Sequence, residues 1–131
     1  MSDDSCSADV IVIGAGLSGL VATTLLLEQG RSVLLLEAGA GPSGRIRSLR
    51  DAATGDVLGD LGPTWVWPPY QPVVAQWLQR LGLHTFAQFE TGNAALDYGP
   101  SAPVQFQPLP GQQGIARIAG GPVALIDALV A

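Results

Sequence analysis

The chain has no lysine, a single histidine and a single cysteine among its 131 residues, and only 13% of it is charged. Each scarcity excludes something. All six basic residues are arginines, set against eleven acidic ones for a net charge of -5. A surface of that sign is not drawn to nucleic acid or to anionic membranes. Cys6 stands alone in the polar arm MSDDSCSAD, so no disulfide framework and no cysteine zinc site can form within the chain, and no metal is expected. His84, the only histidine, follows a helix end with no serine, cysteine or aspartate placed to work with it, and reads as a surface or loop residue. The 47% hydrophobic content marks a chain that buries surface rather than one that stays disordered. At this length it fits one domain, burying roughly two-thirds of its unfolded surface.

No charge falls between Asp9 and Glu28, which leaves the 18-residue run VIVIGAGLSGLVATTLLL. That length approaches a membrane span. The run nevertheless opens with β-branched residues and is broken by Gly14, Gly16 and Gly19. The preceding arm has Asp3, Asp4 and Asp9 but no positive charge, unlike a secretory leader. A cytoplasmic protein is expected.

The run has a better division. Asp9 to Ile13 reads as a short buried strand, Leu17 to Gln29 as a helix stopped by Gly30, and Ser32 to Leu36 as a second apolar strand. Strand, helix and strand within about thirty residues form a βαβ unit with parallel strands. Leu20, Thr23, Thr24 and Leu27 recur at helical spacing. Further on, Asp51 to Asp56 reads as a hairpin turn around Thr54-Gly55, and Val57 to Leu61 as extended chain. Gln71 to Leu81 is an amphipathic helix with Val73, Val74, Trp77, Leu78 and Leu81 on its apolar side. Trp77 is assigned to the core. The stretch from His84 to Gly114 is hard to read except for one alternating piece, Val104 to Gln107, and Pro122 to Ala131 begins a final helix.

GAGLSG, Gly14 to Gly19, is a GxGxxG element lying between the expected strand and the expected helix, and Glu37 ends the next strand. That joint context is the dinucleotide-binding fingerprint. Gly14 permits the tight turn, Gly16 lets a pyrophosphate approach the backbone, and Gly19 lets the helix pack closely on the sheet. The N–H groups near Leu17 and Ser18, with the helix dipole behind them, face the phosphates. Glu37 accepts from ribose hydroxyls and disfavours a 2′-phosphate. A crossover turn using its glycines for packing alone would not need that carboxylate. Beyond it, the small residues from Ala38 to Gly44 let backbone pass close to a bulky ligand, and Arg45 supplies a guanidinium suited to the pyrophosphate. An arginine reaching the phosphates from a second loop favours FAD over a nicotinamide cofactor. Thr23 stands where such folds prefer alanine or glycine, so slightly looser helix packing is expected there.

Four segments, DVIVIGAGLSGL, LLLEA leading to GRIRS, GDLGPTWV followed by WLQRLGL, and GGPVALIDAL, resemble the amino-terminal part of the FAD-dependent amine oxidases, the monoamine, polyamine and L-amino-acid oxidase group. The resemblance implies that Glu37 binds the adenosine ribose and Arg45 the pyrophosphate. It places Gly62, Pro63, Thr64 and Trp65 against the isoalloxazine ring, and has Gly120-Gly121 begin a segment leading toward a substrate domain. It also implies oxidation of a small-molecule amine, with hydride passing to the flavin and dioxygen reoxidising it to give hydrogen peroxide. Three departures stand out. Gly41 replaces a common arginine, Ser43 a glycine, and Pro63, which has no N–H to donate, a glycine or alanine.

The expected fold class is therefore α/β, a Rossmann-like FAD-binding domain on a parallel βαβ sheet, incomplete and joined to the start of a substrate domain. Residues 1–8 form a flexible arm, 9–84 the FAD-binding domain and 85–131 a partial connecting region. Catalytic residues are not identifiable: the resemblance implies a lysine near the flavin, and the chain has none. The chain alone is expected to be inactive and to bind FAD poorly. Completion by a missing carboxy-terminal portion or by a complementary chain is expected. Trp65 and Trp67, alternating across Val66, point the same way and either wall a cavity or pack in a core or interface. Arg47 and Arg50 are expected to pair with Asp51, Asp56 or solvent. Two other readings stay open: a carotenoid desaturase or protoporphyrinogen oxidase relative on the same scaffold, and a non-catalytic nucleotide-binding subunit.

Overall fold

Val10–Ile13 (β1) and Val33–Leu36 (β2) pair in parallel, Val10 opposite Val33 and Ile13 opposite Leu36, and Leu17–Glu28 (α1) connects them. The computed structural model describes residues 7–89, 91–108 and 113–131. Most of the expected arm, with Cys6, lies outside the described residues, as do 90 and 109–112 of the stretch that is hard to read. Side-chain bonding secures the start of the unit. Asp9 Oδ2 accepts from both the N–H and the hydroxyl of Ser32, each at 2.9 Å. Gly30, at φ +75°, ends α1 in a Schellman turn, its N–H donating to Leu27 and that of Arg31 to Leu26.

The packed face of α1 is narrower than its spacing suggests. Leu20 is buried, but Leu27 is 55% exposed. Four-residue strands span about 13 Å and a twelve-residue helix about 18 Å, so the last turn of α1 overruns the sheet. The opposite face of the sheet carries Ile11, Ile13 and Leu36, all exposed.

Ser48–Arg50 (β3) and Val57–Asp60 (β4) form an antiparallel pair with a register shift between Leu49 and Arg50. Asp51 closes their connection, its Oδ1 accepting from the N–H groups of Ala53 and Thr54.

Pro72–Arg80 (α2) starts on a proline, which suits a first helical position. It buries Leu78, while Val73 in its first turn is 65% exposed. The expectation of a core Trp77 needs correction: it is half-buried, with the Arg80 guanidinium stacked 4.5 Å from its ring centre. Arg80 also pairs with Glu28 at the end of α1.

Thr85–Ala87 (β5) pairs with Ala116–Ile118 (β8), and Ala94–Leu96 (β6) with Gln105–Gln107 (β7), both antiparallel. Val123–Val130 (α3) packs on α1. Two small cores result. Ala15, Leu20, Ile46, Val123 and Ile126 form one, beneath the start of α1. Leu78, Ile118 and Leu125 form the other, where α2, β8 and α3 meet. Among the described residues no helix is long and apolar enough to cross a membrane.

Candidate functional site

Gly14 leaves β1 at φ +96°, where glycine is at ease, and its N–H donates to Leu36 O at 2.7 Å. The turn therefore begins tied to the end of β2. A Cβ on Gly19 would lie 1.9 Å from Gly14 O, so the third glycine is required by contact within the protein itself. Gly16 meets a second glycine: a Cβ on Gly44 would stand 3.3 Å from Gly16 Cα. Ser43 donates its N–H to Ala15 O at 3.1 Å, so residues 43 and 44 run alongside the turn. Small residues after Glu37 thus serve an approach of backbone to backbone.

These elements enclose a cleft of about 670 Å³. Gly14, Gly16, Leu17, Ser18 and Gly19 line one side. Ser43, Gly44, Arg45, Ile46 and Pro63 line the other. No side chain caps the start of α1 and no acidic residue stands in its first turn, so its opening N–H groups and the dipole face the cleft without competition. The three ion pairs of the described residues engage Arg50, Arg80 and Arg117, not Arg45.

Glu37 is bonded into the glycine turn. Its Oε2 accepts the Ala15 N–H and its Oε1 the Gly39 N–H, both at 2.7 Å. The Gly39 N–H first, then that of Ala15, holds the Glu37 carboxyl below the usual range, and the Ala38 N–H adds to this. A carboxylate has about four acceptor positions, so two remain for hydroxyl donors. Glu37 does not line this cleft but borders two neighbouring cavities of about 830 and 350 Å³. Gly41 and Pro42 border both, and Thr23 borders the smaller one, its buried hydroxyl oxygen without a partner among the described residues.

Of the residues singled out from the sequence, the glycines, Leu17, Ser18, Gly44, Arg45 and Pro63 come together at one cleft, with Glu37 beside it. Ala38, Gly62, Thr64 and Trp65 are not among the residues lining these three cavities. Gly62 instead packs behind the cleft, where a Cβ would come within 2.2 Å of Arg45 O. Trp65 is 52% exposed and stands edge-on to Trp67 with ring centres 6.5 Å apart. Arg50 does not pair with Asp51 or Asp56. It binds Asp127 on α3 at 2.9 Å, while Arg47 donates to Gly44 O. Ile46 went unsuspected as a lining residue, as did Ile126 and Val130 of the 830 Å³ cavity. No local pattern links α3 to a turn about a hundred residues earlier.

An uncapped helix start, an arginine without an ion-pair partner across a cleft and an acid with acceptor positions to spare fit a dinucleotide in their chemistry. Residues 12–81 match the model of the NAD(P)-binding Rossmann-like domain. The chain belongs to that family. This Rossmann-like chain is 34% identical over 120 residues to (S)-6-hydroxynicotine oxidase of Paenarthrobacter nicotinovorans, covering 92% of the chain and 28% of that protein. It is 38% identical over 82 residues to flavin-containing amine oxidase B of Bos taurus, covering 63% of the chain and 15% of that protein. A solved structure of wild-type putrescine oxidase bound to putrescine superposes with a TM-score of 0.63 at 33% identity, over 76% of this chain and 21% of that one. The chain spans less than a third of the length of these curated relatives. The expected Rossmann-like class and the kinship with flavin amine oxidases, over their amino-terminal cofactor-binding region, both hold.

Proposed function

We propose that this chain forms the FAD-binding part of an amine-oxidising flavoenzyme. The observation that carries the reading is Glu37 bonded into the glycine turn with acceptor positions left over, beside the cleft that Arg45 lines. The α1 N–H groups at Leu17 and Ser18 would hold the pyrophosphate, Glu37 the ribose hydroxyls, and Arg45 the far phosphate oxygens. Gly16 and Gly44 let the two backbone walls of the cleft approach each other without a Cβ between them. Ala38, Gly62, Pro63, Thr64 and Trp65 belong to the two segments flanking the cofactor, and Pro63 supplies a wall without a donor. Bound there, FAD would supply the two-electron oxidation of a small amine, with electrons passing on to dioxygen. No residue of this chain is assigned to proton transfer.

The test is a titration of the 131-residue chain with FAD, NAD+ and NADP+, read by quenching of flavin or tryptophan fluorescence. FAD is expected to bind weakly but saturably, and Glu37→Ala and Arg45→Ala to abolish the response. Tighter binding of NAD+ than of FAD would replace this reading with a nicotinamide site.

A further inference from the structure

Two consecutive residues of β8, Ala116 and Arg117, hold the two ends of the segment 61–65. At its start, Arg117 donates to Asp60 Oδ2 at 3.0 Å, and the Asp60 side chain is only 7% exposed. At its end, Val66 and Ala116 exchange two backbone bonds of 2.9 and 2.8 Å. The segment between them bears directly on the cleft. Leu61 donates its N–H to Arg47 O at 2.8 Å, Gly62 sits against the Arg45 carbonyl, and Pro63 forms part of the wall.

Asp60 is an uneconomical way to stabilise a fold. Its Oδ1 is buried with no partner among the described residues and faces Gly121, where an added Cβ would stand 2.7 Å away. A buried carboxylate with one oxygen unserved gains little net stability from its arginine, whereas loss of the arginine leaves an unpaired buried charge. Such a pair is better explained by the geometry it enforces.

We propose that Asp60 and Arg117 are positioning residues, a clamp that sets the Leu61–Trp65 segment, and through it the Arg45 backbone and the Pro63 wall, at the spacing the cleft needs. The ligand in this inference rests on the FAD reading above, but the clamp itself does not. Because β8 also pairs with β5, the clamp ties the cofactor wall to the second half of the chain.

Trp65 and Trp67 report on the segment without any cofactor. Their rings are edge to face, 85° apart in plane, so their coupled transitions give an exciton signal in circular dichroism. The experiment compares the 131-residue chain with Arg117→Met, Arg117→Lys, Asp60→Asn and the Asp60→Asn/Arg117→Met double variant. Arg117→Met is expected to keep its helical ellipticity, lose most of the tryptophan couplet and bind FAD about tenfold more weakly, the size usual when a supporting residue behind a site is removed. Arg117→Lys should recover part of both signals. The double variant should be little worse than either single one, because the two residues act as a unit. An unchanged couplet in Arg117→Met, or fully additive losses in the double variant, overturns the clamp. If Arg117→Met loses helical ellipticity, Arg117→Gln is judged by the same criteria. A wild-type chain that shows the couplet but takes up no FAD sinks the cofactor reading, and the couplet still decides the clamp.

Discussion

The Glu37 carboxylate and the Ala15 N–H lie 2.7 Å apart, which bonds the residue just past β2 into the middle of the glycine turn. One side chain therefore both shapes the turn and presents acceptors to a ligand. Glu37→Gln keeps the side chain's size but loses the charge and leaves either the Ala15 or the Gly39 N–H without an acceptor. FAD affinity should fall by about tenfold, the worth of one charge-assisted hydrogen bond, in a fluorescence titration. Glu37→Ala should fall further and broaden the amide resonances of residues 14–19.

Acid should loosen this end of the molecule. Backbone N–H groups hold Glu37 and Asp51 below their ordinary values of 4.5 and 3.8, and Ser32, by its N–H and then its hydroxyl, does the same for Asp9. A carboxyl whose folded value is depressed contributes stability above its unfolded value and loses it as pH falls through the folded one. Urea midpoints should thus hold steady down to the ordinary carboxylate range and drop below it. In Glu37→Gln the drop should be shallower.

Two glycines separate packing from permissiveness. Gly19→Ala drives a methyl into Gly14 O, so a loss of about 3 kcal/mol is expected from urea denaturation. Gly41→Ala meets nothing within 4 Å and needs no positive φ. It should be neutral or gain up to about 1 kcal/mol by restricting the unfolded chain.

Ile126, 2% exposed, completes the core under Leu20 and Ala15. Ile126→Ala should cost about 2–5 kcal/mol. Leu27→Ala, on the overrunning turn of α1, should cost no more than about 0.5 kcal/mol. Thermal melts of the two variants check both.

The sequence was most legible where order is local. Strand, glycine turn, helix, Gly30 stop and second strand are all written within contiguous residues, so their bounds fell within a residue or so of the structure. Thr85–Ala87 and Ala116–Ile118 escaped notice because each is only three residues long and finds its partner about thirty residues away. Arg50 was misjudged for the same reason. Its nearest acids in sequence are Asp51 and Asp56, yet its partner, Asp127, comes from α3. Trp77 looked like core by periodicity, yet Arg80, three residues on along the same helix, covers its ring on the open side.

The sequence by itself determined the glycine turn and the acid beside it, because glycine conformations and helix starts depend on neighbours a few residues apart. Only the tertiary structure decided what stands behind that turn: Gly44 against Gly16, Gly62 against Arg45, and Arg117 on Asp60. Those contacts join residues far apart in the chain, and the packing of distant segments leaves no local pattern from which to read them.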